Sequence, residues 1–245
     1  MQRHRAWDTE IYSAWTPSLV LMWVFGSAIV VWLFLNDYQQ LNGVLIASST
    51  VWGRDFINVW TGGRLVLDHG LDILYSIDSY IAYQAKIAGV TEPHNYSYPP
   101  HSLLLAAPFG LLPYGVALIM WLAGTAALFL WAARPYVKDV QGFPLFLVIS
   151  TPAATINLWP GHYGFLIGAL WLACSGRARA APVQAGFLAS LMTIKPHLGV
   201  LIPLILMARR MWRAIAAGMI GFAVLVAARG LVFGFELWSE YLLRT

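Results

Sequence analysis

The most constraining feature of this chain is its stretch from 101 to 235, which is apolar almost without interruption. Across all 245 residues, 59% are hydrophobic and only 11% are charged, and the mean hydropathy is +0.66. Soluble domains carry about 25% charged residues, so this chain cannot cover a water-facing surface. We therefore predict an all-α, multi-spanning integral membrane protein that forms a single membrane domain over residues 1–245, with 101–235 holding most of the spans.

Candidate spans follow from the length that a bilayer requires, about 20 mainly apolar residues. The first, 18–35, has no small-residue cleavage site after it and is expected to remain as an anchor. Lys195-Pro196 interrupts two short later segments, which we expect to form a hairpin that enters and leaves on one side. The later segments are 114–133, 143–158, 163–175, 184–194, 197–208 and 212–233.

Basic residues predict the orientation, because cytoplasmic loops carry an excess of Lys and Arg. The protein is therefore predicted to lie in the cell (inner) membrane. Its N-terminus, which carries Arg3 and Arg5, and three later basic groups are predicted to face the cytoplasm. The segment 37–100 carries six acidic and three basic residues, a net charge of −3, and is predicted to be an extracytoplasmic loop. The three later groups are Arg134 with Lys138, Arg177 with Arg179, and Arg209, Arg210 and Arg213.

Two helices are expected within this loop. Apolar residues recur at helical spacing over 55–68, which predicts an amphipathic helix on the membrane surface. A second short helix is predicted over 77–87, with Gly89 as its stop. The loop then reaches Tyr98-Pro99-Pro100, which favours an extended turn before the chain re-enters lipid.

Two basic residues do not follow the cytoplasmic bias. Lys195 lies at the apex of the predicted hairpin, and Arg229 lies near the outer end of the last span. Ionisable groups at membrane depth are costly and indicate a function, although Arg229 could also extend to the interface as a structural residue. Because Pro196 breaks the helix, the backbone at Lys195 is expected to line a cavity. A cationic pocket beside lipid suits a phosphate anchored in the bilayer.

Asp55 is the carboxylate that stands out, at the first turn of the predicted surface helix. It is either a helix-start acid favoured by the macrodipole or a general base. Glycoside hydrolysis usually requires two carboxylates, one of which protonates the leaving oxygen. A sugar that leaves a lipid phosphate requires no such acid, so one base and cations that hold the phosphate are sufficient.

Other ligand chemistries are disfavoured. The histidines that could approach the outer side match no zinc-binding pattern, so neither a metal nor another cofactor is expected, and contact with substrate is the better interpretation. The basic residues form no stripe interleaved with aromatic residues, so a nucleic-acid partner is not expected. These histidines are His94, His101, His162 and His197.

An ordered series of short motifs resembles glycosyltransferase family 87, the polyprenol-phosphate-mannose-dependent mannosyltransferases of the GT-C superfamily. Gly161-His162 stands where the family usually has Gly-Gln. Each motif is short, and the resemblance depends on their order and spacing. The others are Gly53-Arg54-Asp55-Phe56, Trp60-Thr61-Gly62-Gly63-Arg64, Leu74-Tyr75, Tyr98-Pro99-Pro100, Ala185-Gly186, Ile194-Lys195-Pro196 and Arg209-Arg210-Met211-Trp212-Arg213.

The resemblance implies a GT-C membrane core with short broken helices and an active site on the outer side. Asp55 matches the acid thought to act as the catalytic base. The donor would be a polyprenyl-phosphate sugar, with mannose as the sugar, and the acceptor a hydroxyl of a glycolipid or glycan, glycosylated with inversion. The predicted substrate-binding residues are Arg54, Arg64, Tyr98, His162, Lys195, His197 and Arg229.

Two alternatives stay open at the level of sequence. One is a non-catalytic or truncated membrane partner protein with the same fold, because the chain is shorter than typical family members. The other is a small-molecule transporter, which would be expected to show paired repeats and ionisable residues near the bilayer midplane. The sequence shows no internal repeat.

Overall fold

The structure is a computed structural model that describes residues 17–46, 50–137 and 148–244. Within these residues the regular secondary structure is helical apart from one small sheet, which confirms the predicted all-α fold. The predicted cytoplasmic N-terminus, Lys138 and the first part of the candidate span 143–158 lie outside the described residues. Of that span, the structure describes one short helix, Pro152–Leu158.

Three described helices are long and apolar enough to cross a membrane: α1 (Pro17–Gln39), α5 (Tyr114–Val137) and α11 (Trp212–Phe233). Their outer faces expose large apolar side chains, such as Leu231, which is 83% exposed. Exposed apolar surface on this scale is typical of helices that face lipid. The chain is therefore a membrane protein. Helix α1 ends four residues later than predicted, which places Asp37 inside the helix rather than in the loop.

A small antiparallel sheet follows α1, and the sequence analysis did not predict it. Each strand has two residues, and the turn at Gly43 has a φ of +65°, a conformation that glycine adopts readily. Strands this short carry no alternation of apolar and polar residues from which to predict them. The strands, in sheet order, are β1 (Leu41–Asn42), β2 (Leu45–Ile46) and β3 (Thr50–Val51).

Helix α2 (Phe56–Leu67) corrects the prediction of a surface helix over 55–68. Nine of its residues are buried, because the helix packs across α4 (Leu103–Gly110) with the Gly63 and Gly110 backbones in close approach. Its polar face is covered by α3 (Ile77–Ala88), since the Tyr80 hydroxyl donates a hydrogen bond to Asn58 Oδ1 at 3.1 Å. Helix α2 is therefore part of the core, whereas α3 remains exposed on one face and ends before Gly89, as predicted.

The rest of the chain forms short helices around α5 and α11. Single 3₁₀ turns occupy Leu71–Ile73, Pro100–Ser102 and Met192–Ile194. Lys195 has a non-helical backbone between two helical segments, so the predicted break at Lys195-Pro196 is confirmed. The remaining helices are α6 (Pro152–Leu158), α7 (Gly164–Arg177), α8 (Pro182–Leu191), α9 (Pro196–Gly199), α10 (Leu201–Ala208) and α12 (Leu237–Arg244).

Helices α5 and α7 run in the same direction. Near their starts, the rings of Trp121 and Tyr163 lie 5.0 Å apart. Near their ends, the Tyr136 hydroxyl donates a hydrogen bond to the Leu172 carbonyl at 2.7 Å. Arg134 and Arg177, which occupy the last turns of the two helices, therefore lie at the same end of the molecule.

Helices α8 and α11 are also parallel, because Gly186 faces Ala217 and, one turn later, Ser190 faces Gly221. Because both helices start at the same end of the molecule, the chain after α8 must cross back to that end before α11 begins. Helices α9 and α10, which follow Lys195, form this antiparallel segment. The hairpin geometry expected from the sequence is thus present. It places 209–213 at the same end as Pro182, opposite Lys195.

Candidate active site

Two glycine turns, Gly53 and Gly161, build the centre of the site. Their φ angles are +79° and +66°, in the left-handed region where residues with a Cβ are strained. The turns are bonded to each other, since the Asp55 amide donates to the Pro160 carbonyl at 2.8 Å. A Cβ on Gly161 would lie 2.8 Å from Phe56 Cβ. This packing fixes the start of α2 against the turn that carries His162.

Replacing Gly161 by alanine is expected to lower stability, because it forces an L-residue into a left-handed conformation at a cost of about 1–3 kcal/mol and also crowds Phe56. Thermal unfolding in detergent measures the effect. Gly124→Ala is the matched control, since a Cβ at that helical position meets nothing within 4 Å and alanine favours helix. A Gly161→Ala protein as stable as Gly124→Ala would contradict this account of the turn.

The side chains of Asp55, His162 and Lys195 meet at this turn. His162 Nε2 lies 2.9 Å from Lys195 Nζ and 3.4 Å from Asp55 Oδ2. Lys195 is only 6% exposed, whereas about 40% of the Asp55 side chain is exposed. A buried cation and an accessible carboxylate therefore flank one imidazole, at the end of the molecule opposite the basic groups.

One ring nitrogen of His162, Nε2, faces both Lys195 and Asp55. Its protonation therefore decides which of the two it can hydrogen-bond. Nε2 can accept a hydrogen bond from the Lys195 ammonium only when it carries no proton, and it can donate one to Asp55 only when it does. Burial and the nearby Lys195 charge lower the pKa of His162 from its usual value, and Asp55 opposes that shift. The neutral imidazole is therefore favoured at neutral pH, and in the tautomer whose proton is on Nδ1 it can accept from Lys195.

Aromatic rings enclose the cation. Lys195 Nζ lies 5.4 Å from the centre of the Tyr98 ring and 5.2 Å from that of Tyr163, within the range of cation–π attraction. The two rings lie 5.0 Å apart, and Tyr96 packs on Tyr98 at 5.2 Å. The sequence analysis predicted Tyr98 in the site but missed Tyr163, which directly follows the Gly161-His162 motif.

Arg54 contacts α1 rather than the group around His162. Its guanidinium lies 3.3 Å from Asp37 and covers the Trp159 ring at 4.8 Å, while Trp159 Nε1 donates to Asp37 at 2.7 Å. The Gly53 turn, through Arg54, and the Gly161 turn, through Trp159, therefore both contact Asp37 at the end of α1. The sequence analysis did not find this role, because Asp37 and Trp159 are 122 residues apart in the chain.

The structure does not bring the other predicted residues into the same group. Arg64 lies near the far end of α2, where it contacts Asp68 and the Gly110 carbonyl, both at 3.4 Å. Arg229 is fully buried and donates to the Gly234 carbonyl. His197 is exposed and lies two residues after Lys195 in the chain. Substrate contact by these three side chains stays a prediction.

Within the described part of the chain, no cluster of three or more His, Cys, Asp or Glu side chains could hold a metal ion. The central group itself provides one carboxylate, one imidazole and one ammonium, and an ammonium is not a metal ligand. These side chains suit proton transfer and the binding of an anion.

Sequence comparison assigns the family. The model of Glycosyltransferase family 87 matches residues 96–245, more than half of the chain. The chain belongs to glycosyltransferase family 87. No curated protein and no solved structure matches it. The family 87 match includes His162 and Lys195, whereas Asp55 precedes it. Membership implies a membrane glycosyltransferase, which agrees with the three membrane-length helices and disfavours the transporter alternative.

Proposed function

We propose that the chain transfers a sugar from a polyprenyl-phosphate donor to a hydroxyl group of a glycolipid or glycan, with inversion and with Asp55 as general base. Mannose is the proposed sugar, on the strength of the resemblance to polyprenol-phosphate-mannose enzymes. The observation that carries the proposal is the meeting of an accessible Asp55 carboxylate and a buried Lys195 ammonium on either side of His162.

The proposed reaction is a single displacement at the anomeric carbon. The acceptor oxygen forms a bond to that carbon as the bond from carbon to the phosphate oxygen breaks. The phosphate leaves with the bonding electron pair, and the acceptor proton passes to the Asp55 carboxylate. A lipid phosphate leaves as a stable anion, so it requires a cation rather than an acid. Lys195 supplies positive charge that would stabilise the phosphate as its charge develops.

Asp55 is the accessible carboxylate of the described central turn, and one such acid supports transfer rather than hydrolysis by paired acids. Asp37 is the nearby acidic residue that could act as a second one, but it is 7% exposed and is held by Arg54 and Trp159. A carboxylate that is buried and held in this way is not available to a substrate. Among the described residues, Asp55 is therefore left as the one carboxylate of the central turn that substrate can reach.

His162 is proposed to link phosphate binding at Lys195 to proton transfer at Asp55. In the structure the Lys195 ammonium faces the His162 imidazole, which holds it near Tyr98 and Tyr163. An incoming phosphate is a stronger acceptor than a neutral imidazole, so the ammonium would turn toward it. His162 Nε2 would then be free to accept a hydrogen bond from a hydroxyl, or, in the tautomer that carries the proton on Nε2, to donate one to Asp55.

A comparison of donors tests the proposal. The purified protein in nanodiscs receives a glycolipid acceptor fraction together with either polyprenyl-phosphate mannose or a nucleotide-linked mannose, each radiolabelled in the sugar. We expect label in the acceptor only from the lipid-linked donor. Transfer from the nucleotide sugar alone would overturn the proposed donor class, and transfer of another polyprenyl-linked sugar would change the sugar but keep the class.

The proposed location is the cell membrane, with the Asp55 end of the molecule outside the cytoplasm. The parallel pairs α5 with α7 and α8 with α11 place the basic groups 134, 177–179 and 209–213 at the end opposite Lys195. Since cytoplasmic ends are enriched in Lys and Arg, this arrangement supports the proposed orientation, with the N-terminus cytoplasmic and residues 37–100 outside.

Cysteine labelling tests this orientation. In a Cys174→Ser background, single cysteines at the exposed positions Asp78 and Ala180 are treated with a membrane-impermeant maleimide in intact cells. We expect labelling of Asp78→Cys, and labelling of Ala180→Cys only after the membrane is permeabilised. The reverse pattern would contradict the orientation.

A further inference from the structure

Asn58 lies one turn after Asp55 on α2, on the same side of the helix. Its backbone N–H donates to the Asp55 carbonyl at 3.3 Å, and side chains three residues apart on a helix are neighbours, with Cβ atoms about 5–6 Å apart. Asn58 is only 7% exposed. A buried amide therefore lies next to the proposed base, and the mechanism proposed above does not use it.

Helix α3 holds one end of this amide. Asn58 Oδ1 accepts hydrogen bonds from the Tyr80 hydroxyl at 3.1 Å and from Gln84 Nε2 at 3.2 Å. These two bonds direct the oxygen toward α3. The nitrogen of the same planar group, with its two N–H donors, is therefore directed away from α3.

The nitrogen end of the amide is unpaired. Across the described ranges, the hydrogen bonds of the Asn58 side chain are the two that α3 donates. Its Nδ2 is not among the fully enclosed polar atoms of those ranges, so a ligand can reach it. Leaving the donors of a buried amide unpaired is costly. An asparagine with a purely structural role would be expected to pair both of its ends, whereas this one offers a fixed pair of donors beside Asp55.

The Tyr98 hydroxyl is a second polar group with no partner near Asp55. Tyr98 is 5% exposed, and in the part of the chain that the structure describes its hydroxyl is neither hydrogen-bonded nor fully enclosed. Burial raises the pKa of Tyr98 above its usual value, and the nearby Asp55 charge raises it further, so the phenol keeps its proton as a donor. The same ring lies 5.4 Å from Lys195 Nζ. Tyr98 therefore adjoins both the proposed base and the proposed phosphate site.

Packed rings join these two groups into one wall. Tyr80, which holds Asn58, packs on Tyr96 with ring centres 6.0 Å apart, and Tyr96 packs on Tyr98 at 5.2 Å. Asn58 is thus held in place by the same aromatic cluster that positions Tyr98 against Lys195. Fixed donors on a rigid wall suit a ligand with several hydroxyl groups, because each hydroxyl can accept a hydrogen bond.

We infer that Asn58 binds a ring hydroxyl of the donor sugar and helps to select that sugar, with Tyr80 and Gln84 as positioning residues. The inference rests on the proposed function, which places the phosphate at Lys195 and the attacked carbon near Asp55. One oxygen joins the sugar to that phosphate, so the ring must lie along the wall between these two residues. The inference adds a residue that discriminates between sugars by a hydrogen bond to one hydroxyl.

Donor binding in the absence of acceptor tests the inference without turnover. The wild-type protein in nanodiscs is titrated with radiolabelled polyprenyl-phosphate mannose and with donors in which one ring hydroxyl at a time is replaced by hydrogen. We expect at least one deoxy donor to bind the wild type about fivefold more weakly than the parent donor, the loss typical of one hydrogen bond. In Asn58→Leu, the preference for the parent over one such donor should fall to within about twofold, and any preference over the others should remain.

Thr61→Val is the matched control. Thr61 is fully buried one turn further along α2 and accepts a hydrogen bond from Gln84 at 3.4 Å, so its replacement disturbs the same network without removing a group that a sugar can reach. It should keep the wild-type preferences. Tyr80→Phe removes one bond to Asn58 Oδ1 and should weaken discrimination against the same deoxy donor alone. If Asn58→Leu fails to fold, Asn58→Ser leaves space for a water that pairs with Tyr80 and provides the same test.

The outcomes separate this inference from the proposed function. Equal weakening of every donor by Asn58→Leu, with all preferences unchanged, would return Asn58 to a structural role and leave the proposed function standing. Selective loss of one preference in a protein that binds the donor but transfers no sugar would support the assignment of Asn58 and contradict the proposed function. A wild-type protein that does not bind the lipid-linked donor would overturn both.

Discussion

Asp55→Asn is expected to lower kcat for sugar transfer by about a hundredfold or more, the loss typical of a removed general base. Asparagine has nearly the same shape but cannot take the acceptor proton. Because Asp55 is partly exposed and forms no salt bridge with a Lys or Arg of the described residues, the variant should remain folded and inserted. Its KM for the donor should change little, since the donor is proposed to bind through its phosphate. Initial rates against donor concentration measure both constants.

The matched control is Asp78→Asn, which makes the same change at an exposed position on α3. It should retain the wild-type rate. Activity of Asp55→Asn within a few-fold of wild type would remove Asp55 from the role of base. Asp55 would then be a helix-start acid that favours the N-terminus of α2.

Lys195→Ala is expected to weaken donor binding more than it slows the chemical step. Removing one partner of a buried charged contact costs about 2–5 kcal/mol, so the apparent KM for the lipid-linked donor should rise by about thirtyfold or more. The expected loss is larger than for a surface lysine because the ammonium is almost fully buried among Tyr98, Tyr163 and His162.

Lys86→Ala provides the control for this change, since Lys86 is exposed in the last turn of α3. Its KM should equal that of the wild type. An unchanged KM in Lys195→Ala, in a protein with wild-type thermal stability, would return Lys195 to a structural role as the cation that joins Tyr98 and His162.

The sequence indicated the central residues for different reasons. Lys195 is a charge inside an apolar run, and a proline follows it, so neither lipid exposure nor a continuous helix accounts for it. Asp55 opens a helix next to a glycine in a short motif. The meeting of these two residues with His162 could be expected only from the order of the motifs, since 107 residues separate Asp55 from His162 and no local pattern reports such a contact.

The position of α2 could not be predicted from its sequence. Its apolar residues recur at helical spacing, which is equally typical of a surface helix and of one side of a buried helix. Its polar residues decide the outcome: Asn58 and Thr61 are paired by Tyr80 and Gln84 of α3, and a polar residue that is hydrogen-bonded can be buried at little cost. Such pairing between separate helices becomes visible only in the fold.

The partner of Arg54 could not be predicted from the sequence either. As a cation beside the proposed base, it was expected to bind substrate, but the structure pairs it with Asp37, a residue that the sequence assigned to the loop. The difference came from the end of α1: four additional helical residues carry Asp37 to the edge of the site. Helix ends are the least certain part of a sequence prediction, and here the end of a helix determines the partner of a charged residue.

The most direct test of the central claim follows both products of one reaction. Wild-type protein and Asp55→Asn, each in nanodiscs, receive acceptor and a polyprenyl-phosphate mannose labelled with different isotopes in the sugar and in the lipid. We predict that the wild type releases free polyprenyl phosphate in equal amount to the glycosylated acceptor, and that Asp55→Asn forms both products at about a hundredth of that rate or less. Acceptor glycosylation that proceeds equally well in Asp55→Asn, or without release of polyprenyl phosphate, would contradict the account.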